Sequence, residues 1–289
     1  MKKILITGKN SYIGTSFEKW VNRFPNDYLV NTISTFGDDW KSVDFSKYDV
    51  VFNVAGIAHV KPKPALEQLF YKVNRDLAIE LCKKAKKEGI SQFIFLSSSN
   101  VFGDTNEVIT EYTIPTTNNY YGKSKLQADE VIQKLSCETF KVVSVRPPVV
   151  YGANCKGNFT KLSKYARLLP LFPDYINKKS MIYIDNLCEF IRLIIENSEK
   201  GIFYPQNKEY TSTTDLVKII ATVNGRKIIT TKIFNPVIKF LINKVRIINK
   251  IFSDDLYDKK LSDYKNFSYC VVDFKESIIQ IENSKNKDF

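Results

Sequence analysis

Five short runs, most of them nearly continuous in apolar residues, punctuate the first half of the chain: Lys3–Thr7, Tyr28–Ser34, Val50–Val54, Gln92–Ser97 and Lys141–Val145. Helical patterns fall between them at Tyr12–Arg23, Ala65–Glu88 and Gly122–Leu135. Strands that are apolar on both faces, alternating with helices, predict a parallel sheet covered on both sides. The fold class is therefore α/β, a doubly wound parallel sheet, and such sheets collect ligands at the carboxyl ends of their strands. One stretch departs from the rhythm. "STFGDDWKSVDFSKY" (34–48) is too short and polar for a strand-helix-strand crossover, so the sheet is expected to have lost or shortened one unit there.

The 289 residues suffice for one large or two modest domains. After Tyr151-Gly152 the sequence reads as loop, helix and loop, and "MIYIDNLCEFIRLIIEN" then reads as a strand and helix that rejoin the first domain. The expected division is 1–150 with 181–198 for the sheet domain. Residues 151–180 with 199–289 form a smaller, discontinuous α+β C-terminal domain.

The first run enters its helix through "TGKNSYIG". Gly8 permits a tight turn, Ile13, Phe17 and Trp20 begin an apolar helical face, and Gly14 permits close packing of helix on strand. Backbone N–H groups then converge at the positive end of a helix, where a pyrophosphate is stabilised. Ser11 occupies the place of a middle glycine; its Cβ narrows the approach to phosphate while its hydroxyl can donate a hydrogen bond. A tight turn with no ligand would use the same residues. The second strand ends "NTIS", with neither a carboxylate for a ribose 2′-hydroxyl nor an arginine for a 2′-phosphate, which leaves NAD and NADP both open. Asp44, in "VDF", reads as a candidate for the adenine edge or as a solvated loop residue.

A second constellation lies downstream. Tyr121 and Lys125 are spaced i, i+4 at the start of a helix and so share one face. A phenol, with a pKa near ~10, is a poor base at neutral pH, and a neighbouring ammonium favours its phenolate. Such a tyrosine can take a proton from a hydroxyl while hydride leaves the same carbon. Alone, the pair could equally be an exposed helix-stabilising contact. Upstream, "FIFLSSSNVFG" is a buried strand ending in hydroxyls, with Ser98 placed to hydrogen-bond the oxygen that Tyr121 deprotonates and Ser99 its competitor.

Together, "TGxxSxxG", "NVAG", "VN", "SSSNVFG", "YGKSK" and "RPPVVYG" resemble the extended short-chain dehydrogenase/reductase superfamily. Within it the chain is most similar to the NAD-dependent epimerase/dehydratase proteins of bacterial sugar-nucleotide pathways. The resemblance implies a Rossmann-type domain binding NAD or NADP and a C-terminal domain binding a nucleoside-diphosphate sugar, a UDP-sugar first among them. By position it assigns Gly8, Ser11, Tyr12, Ile13 and Gly14 to the pyrophosphate loop, with Ser11 a departure from glycine. It assigns Asp44 and Phe45 to adenine, and Val54, Ala55, Gly56, Asn74 and Pro148 to the cofactor's surroundings. Ser98, Tyr121 and Lys125 become the catalytic set, with Lys125 also holding the nicotinamide ribose. Ser99, Asn100, Asn158 and Lys179 are expected at the substrate, and His59 near its entry.

The implied activity is a nucleotide-sugar 4-epimerase working by transient oxidation at C4, in surface-polysaccharide or sugar-nucleotide biosynthesis. A 4-ketoreductase using external NAD(P)H is its rival. A 4,6-dehydratase is disfavoured because Ser99-Asn100 stand where such enzymes carry Asp-Glu. A non-catalytic nucleotide-binding scaffold is the reading from another class.

Bulk properties bound the rest. One histidine and five scattered cysteines without a Cys-x-x-Cys pair leave no metal site expected and favour free thiols. The net charge of +12 follows from lysines spread along the chain rather than from a nucleic-acid recognition module, so no nucleic-acid partner is expected. No signal or membrane-spanning run is visible, and the expectation is a cytoplasmic protein, with a homodimer as its possible assembly. Finally, Ile233–Phe252 is basic and amphipathic, with Phe234, Val237, Leu241, Val245, Ile248 and Phe252 on one face. It is expected to pack on the small domain rather than to bind a membrane stably.

Overall fold

Six parallel strands build the central sheet in a computed structural model that describes every residue except 59, 61, 62, 104–107 and 286–289. In chain order they are β1 (Lys2–Thr7), β2 (Tyr28–Ile33), β3 (Val50–Asn53), β4 (Gln92–Leu96), β5 (Lys141–Val145) and β6 (Gly201–Phe203). Their spatial order is β6-β5-β4-β3-β1-β2. Leu5 of β1 lies between Asn31 of β2 and Val51 of β3. The chain steps one way from β1 to β2 and the other way to β3, so the strand order reverses at β1/β3. That is where a doubly wound sheet opens a crevice.

Between β2 and β3 there are only short 3-10 turns, Asp39–Ser42 and Phe45–Lys47, and no crossover helix. The shortened unit is thus real, and β2 lies at the sheet's edge. Trp40 and Phe45 from these turns are buried against Leu5, Val51, Leu81 and Phe93, filling the space with two aromatic rings.

Four helices cover the sheet. On one face lie α1 (Tyr12–Val21) and α4 (Ile184–Glu196), joined by a hydrogen bond from Trp20 Nε1 to Glu189 Oε2 of 2.9 Å. Phe17 meets Phe52 edge-on beneath them, centroids 5.2 Å apart. The other face carries α2 (Leu77–Lys87) and α3 (Tyr120–Gln133), whose Leu81, Ala85, Ala128 and Ile132 are fully buried. The predicted single helix 65–88 is in fact four pieces: a 3-10 turn Pro64–Leu66, one α-turn Glu67–Phe70, a π-turn Tyr71–Asp76, and α2. A π-turn slips one residue into the helix and re-aims its side chains; here Asn74 is fully buried within it.

By chain contacts the fold divides into two compact units. The first holds Met1–Asp104, Thr113–Pro148 and Ile184–Pro205; the second holds Thr105–Tyr112, Val149–Tyr183 and Gln206–Phe289. The second unit is built on three two-stranded parallel pairs: Val149–Tyr151 with Met181–Tyr183, Leu171–Pro173 with Ile229–Thr231, and Val108–Ile109 with Leu256–Tyr257. Its core centres on Tyr151, whose hydroxyl meets Ser277 Oγ at 2.7 Å and accepts from Asn207 Nδ2 at 2.9 Å. A buried carboxylate, Glu282, accepts from Ser163 Oγ, Arg167 Nε and Asn224 Nδ2 at 2.8–3.0 Å and is thereby paired.

Residues 233–252 depart from expectation. They form two short helices, Asn235–Leu241 and Arg246–Phe252, not one. Of the face expected to pack, only Phe252 is buried, while Phe234 and Val237 are exposed. Residues 242–245 interrupt the helix, so the sequence's helical period does not run unbroken from Phe234 to Phe252.

Candidate active site

The cradle is built by two strand ends. Gly8 has φ of +106°, and a Cβ there would stand 2.8 Å from the backbone N of Ala55. Only glycine allows β1 and β3 to approach this closely while the chain turns. Asn53 ties the same strand ends together: its Oδ1 accepts from Thr7 Oγ1 at 2.9 Å and from Ala55 N at 3.1 Å. The turn's second left-handed residue is Asn10 (φ 64°), a residue type that tolerates that conformation.

Ser11, by contrast, is extended (φ −70°, ψ 143°) and needs no glycine. Its hydroxyl caps α1, accepting from Gly14 N at 3.2 Å. The missing middle glycine is therefore replaced by an N-cap. Gly14 is hemmed in by that hydroxyl, Val54 and Ile6, where a Cβ would meet atoms at 2.5–3.1 Å. Tyr12 and Ile13 open the first turn of α1, and the helix N-terminus stands at the β1/β3 switch point. Val54 and Ala55 are buried beside it. These features fit the diphosphate of a dinucleotide.

Further from the cradle, the placements are less ligand-like. Asp44 is exposed and caps its own turn, accepting from Ser46 N at 3.0 Å and Ser46 Oγ at 2.5 Å. Those bonds hold its carboxyl below the usual carboxylate range. Phe45 is buried in the core, and its amide donates to Glu88 Oε2 at 2.7 Å. β2 ends at Ile33, whose carbonyl accepts from the amides of both Gly8 and Lys9.

The reactive groups come together on α3. Asn119 caps this helix, its Oδ1 accepting from Gly122 N at 2.7 Å, and so fixes the first turn that carries Tyr121. Gly122 abuts the loop after β4: a Cβ there would lie 2.3 Å from Asn100 O and 2.5 Å from Thr117 Oγ1. That closeness brings the loop to the tyrosine. The Ser98 side chain hydrogen-bonds the Tyr121 phenol, a contact that favours the phenolate, whereas burial pushes the phenol's pKa up. Ser98 also accepts from Asn100 N and Nδ2, at 3.2 and 3.1 Å. Ser98 rather than Ser99 thus meets the tyrosine; Ser99 N donates to Pro147 O at 3.0 Å, beside the buried Pro148.

Lys125 lies one helical turn below Tyr121, with Nζ donating to Leu96 O at 2.8 Å and 4.6 Å from the centre of the Phe95 ring. Burial lowers its pKa to about 8, partly opposed by Asp129. Asp129 is itself buried, accepting from Ser97 Oγ and Arg146 Nε at 2.8 and 2.9 Å. Gly56 faces this lysine, its missing Cβ leaving room for Lys125 Nζ and Asn74 Oδ1.

Asn158 and Lys179 belong to the second unit. Asn158 is exposed at the start of the helix Asn158–Leu168; Lys179 donates to Ser253 Oγ at 3.4 Å, and burial lowers its pKa. His59 lies outside the described residues. Among the described residues, no group of acidic, histidine or cysteine side chains could hold a metal ion.

Asn53, Asn119, Gly122 and Asp129 escaped the sequence reading. An asparagine just before a helical pattern is an N-cap signal, and Gly122 sits inside "YGKSK"; both were findable. Asp129 carries no such mark, since a carboxylate on a helix reads as solvated.

The chain matches the NAD dependent epimerase/dehydratase family over residues 4–204. It belongs to that family. NAD or NADP is accordingly its cofactor, and the cradle's glycine, cap and helix end are the residues that fit it. A UDP-glucose 4-epimerase of Vibrio cholerae is 29% identical over 249 residues, covering 76% of this chain and 75% of that one. An Escherichia coli O157:H7 protein, N-acetyl-alpha-D-glucosaminyl-diphospho-ditrans,octacis-undecaprenol 4-epimerase, is 27% identical over 216 residues, covering 68% and 64%. Among solved structures, UDP-glucuronic acid 4-epimerase from Bacillus cereus in complex with NAD superposes with a TM-score of 0.76 at 19% identity, covering 99% of this chain and 97% of that one. The last likeness is one of fold.

Proposed function

We propose that this chain is an NAD(P)-dependent 4-epimerase of a UDP-hexose or UDP-N-acetylhexosamine. The observation that carries the reading is the Ser98–Tyr121 hydrogen bond with Lys125 one helical turn away. Family membership supports an epimerase or reductase of nucleotide sugars. The two epimerase relatives are named for hexoses carried on a diphosphate, which supports the substrate class.

In this mechanism Tyr121 takes the proton of the sugar 4-hydroxyl. Ser98 hydrogen-bonds the same oxygen, steadying the negative charge that passes between it and the phenol. Lys125, as a cation, favours the phenolate and so offsets the burial that disfavours it. The bound nicotinamide supplies a reversible acceptor for the C4 hydride. After the 4-keto sugar turns over, Tyr121 returns its proton to the 4-oxygen as the hydride returns to the opposite face of C4, completing inversion.

A 4-ketoreductase is the second reading, and one feature favours it. No carboxylate stands at the end of β2 to grip the ribose, as a permanently held cofactor would want. The experiment that separates them is to denature the purified protein, identify the released dinucleotide, and incubate native protein with UDP-glucose and UDP-N-acetylglucosamine without added cofactor. Appearance of the 4-epimer by NMR supports the epimerase. Strict NAD(P)H consumption with a UDP-4-ketohexose, and no epimer, overturns it.

A further inference from the structure

The segment between Asp215 and Asp254 contains no acidic residue, yet carries Lys218, Arg226, Lys227, Lys232, Lys239, Lys244, Arg246 and Lys250. Several of the second unit's exposed apolar side chains also lie in this segment. Ile233 is 74% exposed, Phe240 65%, Val237 57% and Ile247 53%. Ile229, exposed as well, is the register partner of exposed Leu171 on the neighbouring strand. Apolar patches of this kind on a folded chain mark an interaction site.

The charges are woven through the patch. Lys244 Nζ stands 3.6 Å from the centre of the Phe240 ring. Lys239 precedes Phe240, and Arg246 precedes Ile247. On a neighbouring element, the Asp174 side chain faces Lys218 at 3.8 Å and its carbonyl accepts from Asn235 Nδ2 at 3.0 Å.

We propose that this surface docks on an anionic phospholipid bilayer, with Ile233, Val237, Phe240 and Ile247 entering the headgroup boundary and the lysines and arginine binding lipid phosphates. Apolar side chains flanked by basic ones are what an interfacial segment needs. A second copy of the chain fits poorly, because a two-fold contact would set the same cations against themselves. The exposed side chains are mostly aliphatic, and Lys244 lies over the ring of Phe240, which leaves little stacking surface for nucleic-acid bases. Exposed apolar side chains come from both short helices, Val237 and Phe240 from the first and Ile247 from the second, and no helix among the described residues is long and apolar enough to cross a membrane. This inference does not depend on the proposed reaction.

Flotation of the purified full-length protein with phosphatidylglycerol vesicles, against phosphatidylcholine vesicles, at about 0.15 M salt tests it. Bound protein should exceed that on phosphatidylcholine by about tenfold or more. The double variant Val237→Ser/Phe240→Ser, which alters exposed side chains, should keep its thermal midpoint and lose this binding. Lys239→Glu/Lys244→Glu should lose it too. No binding to either vesicle overturns the proposal, as does equal binding to both. Binding that survives the serine variant overturns it, and so does a dimer in sedimentation that the serine variant dissociates.

Discussion

Asn74 grips the backbone of Ile57 from both sides: its Oδ1 accepts from Ile57 N at 2.8 Å and its Nδ2 donates to Ile57 O at 3.2 Å. The same Nδ2 lies 3.3 Å from Ser124 Oγ, which in turn donates to Tyr121 O. One buried amide therefore links the strand end after β3 to the helix that carries the reactive tyrosine. Asn74→Ala should leave two backbone groups unsatisfied and lower stability by about 1–3 kcal/mol. Denaturant unfolding measures this, and cofactor titration should show weakened binding in the same variant.

Tyr121→Phe should lower turnover by about 10²–10⁴-fold while the protein still binds its dinucleotide. Ser98→Ala should cost less, and Ser98→Thr should recover much of the loss by restoring a hydroxyl. Steady-state rates together with the cofactor content of each purified variant check both statements. A Tyr121→Phe protein with unchanged turnover would remove the tyrosine from the mechanism.

Gly122→Ala introduces a methyl with no room, 2.3 Å from the Asn100 carbonyl. The helix start or the loop after β4 must move, at a cost of about 1–3 kcal/mol. Because Tyr121 is the adjacent residue, activity should fall by more than about tenfold even where the protein stays folded. Gly225→Ala, at a position with open space but φ of +69°, is the comparison: it should cost stability through backbone strain without touching turnover.

Lys125 ties pH to stability. Burial holds its folded pKa near 8, below the ordinary lysine value. In the window from about 8 to 10.4 the unfolded chain binds more protons than the folded one. The penalty for burying the cation is therefore full below that window and is relieved as pH rises through it. The unfolding free energy of the cofactor-free wild type, minus that of Lys125→Met, should increase across this range. A flat difference would mean the ammonium is solvated.

The parallel sheet was legible because strands buried on both faces must be apolar throughout, and Ile4-Leu5-Ile6 or Val50-Val51-Phe52 can be little else. The missing crossover was legible from length alone. Less readable was the helix holding Asn74, since a π-turn changes phase without changing composition. Phe45 shows a further limit: its ring fills the core where the crossover is lost, a packing role that its position in the sequence does not reveal. The segment after Thr231 has a helical period that the chain does not follow, because period reports only what could share a face. The Ser98–Tyr121 pairing was visible because strand end and helix start each carry their own signal.

The lost crossover has one more consequence, for how the protein behaves in quantity. In this six-stranded sheet β2 has β1 on one side and no strand of the sheet on the other. Its sequence, Tyr-Leu-Val-Asn-Thr-Ile, contains none of the lysines or prolines with which exposed strands commonly discourage pairing. At high concentration, or when partly unfolded by heat or acid, the first strand-to-strand association between copies should start at this edge. A lysine in place of exposed Leu29 is the simplest way to slow it.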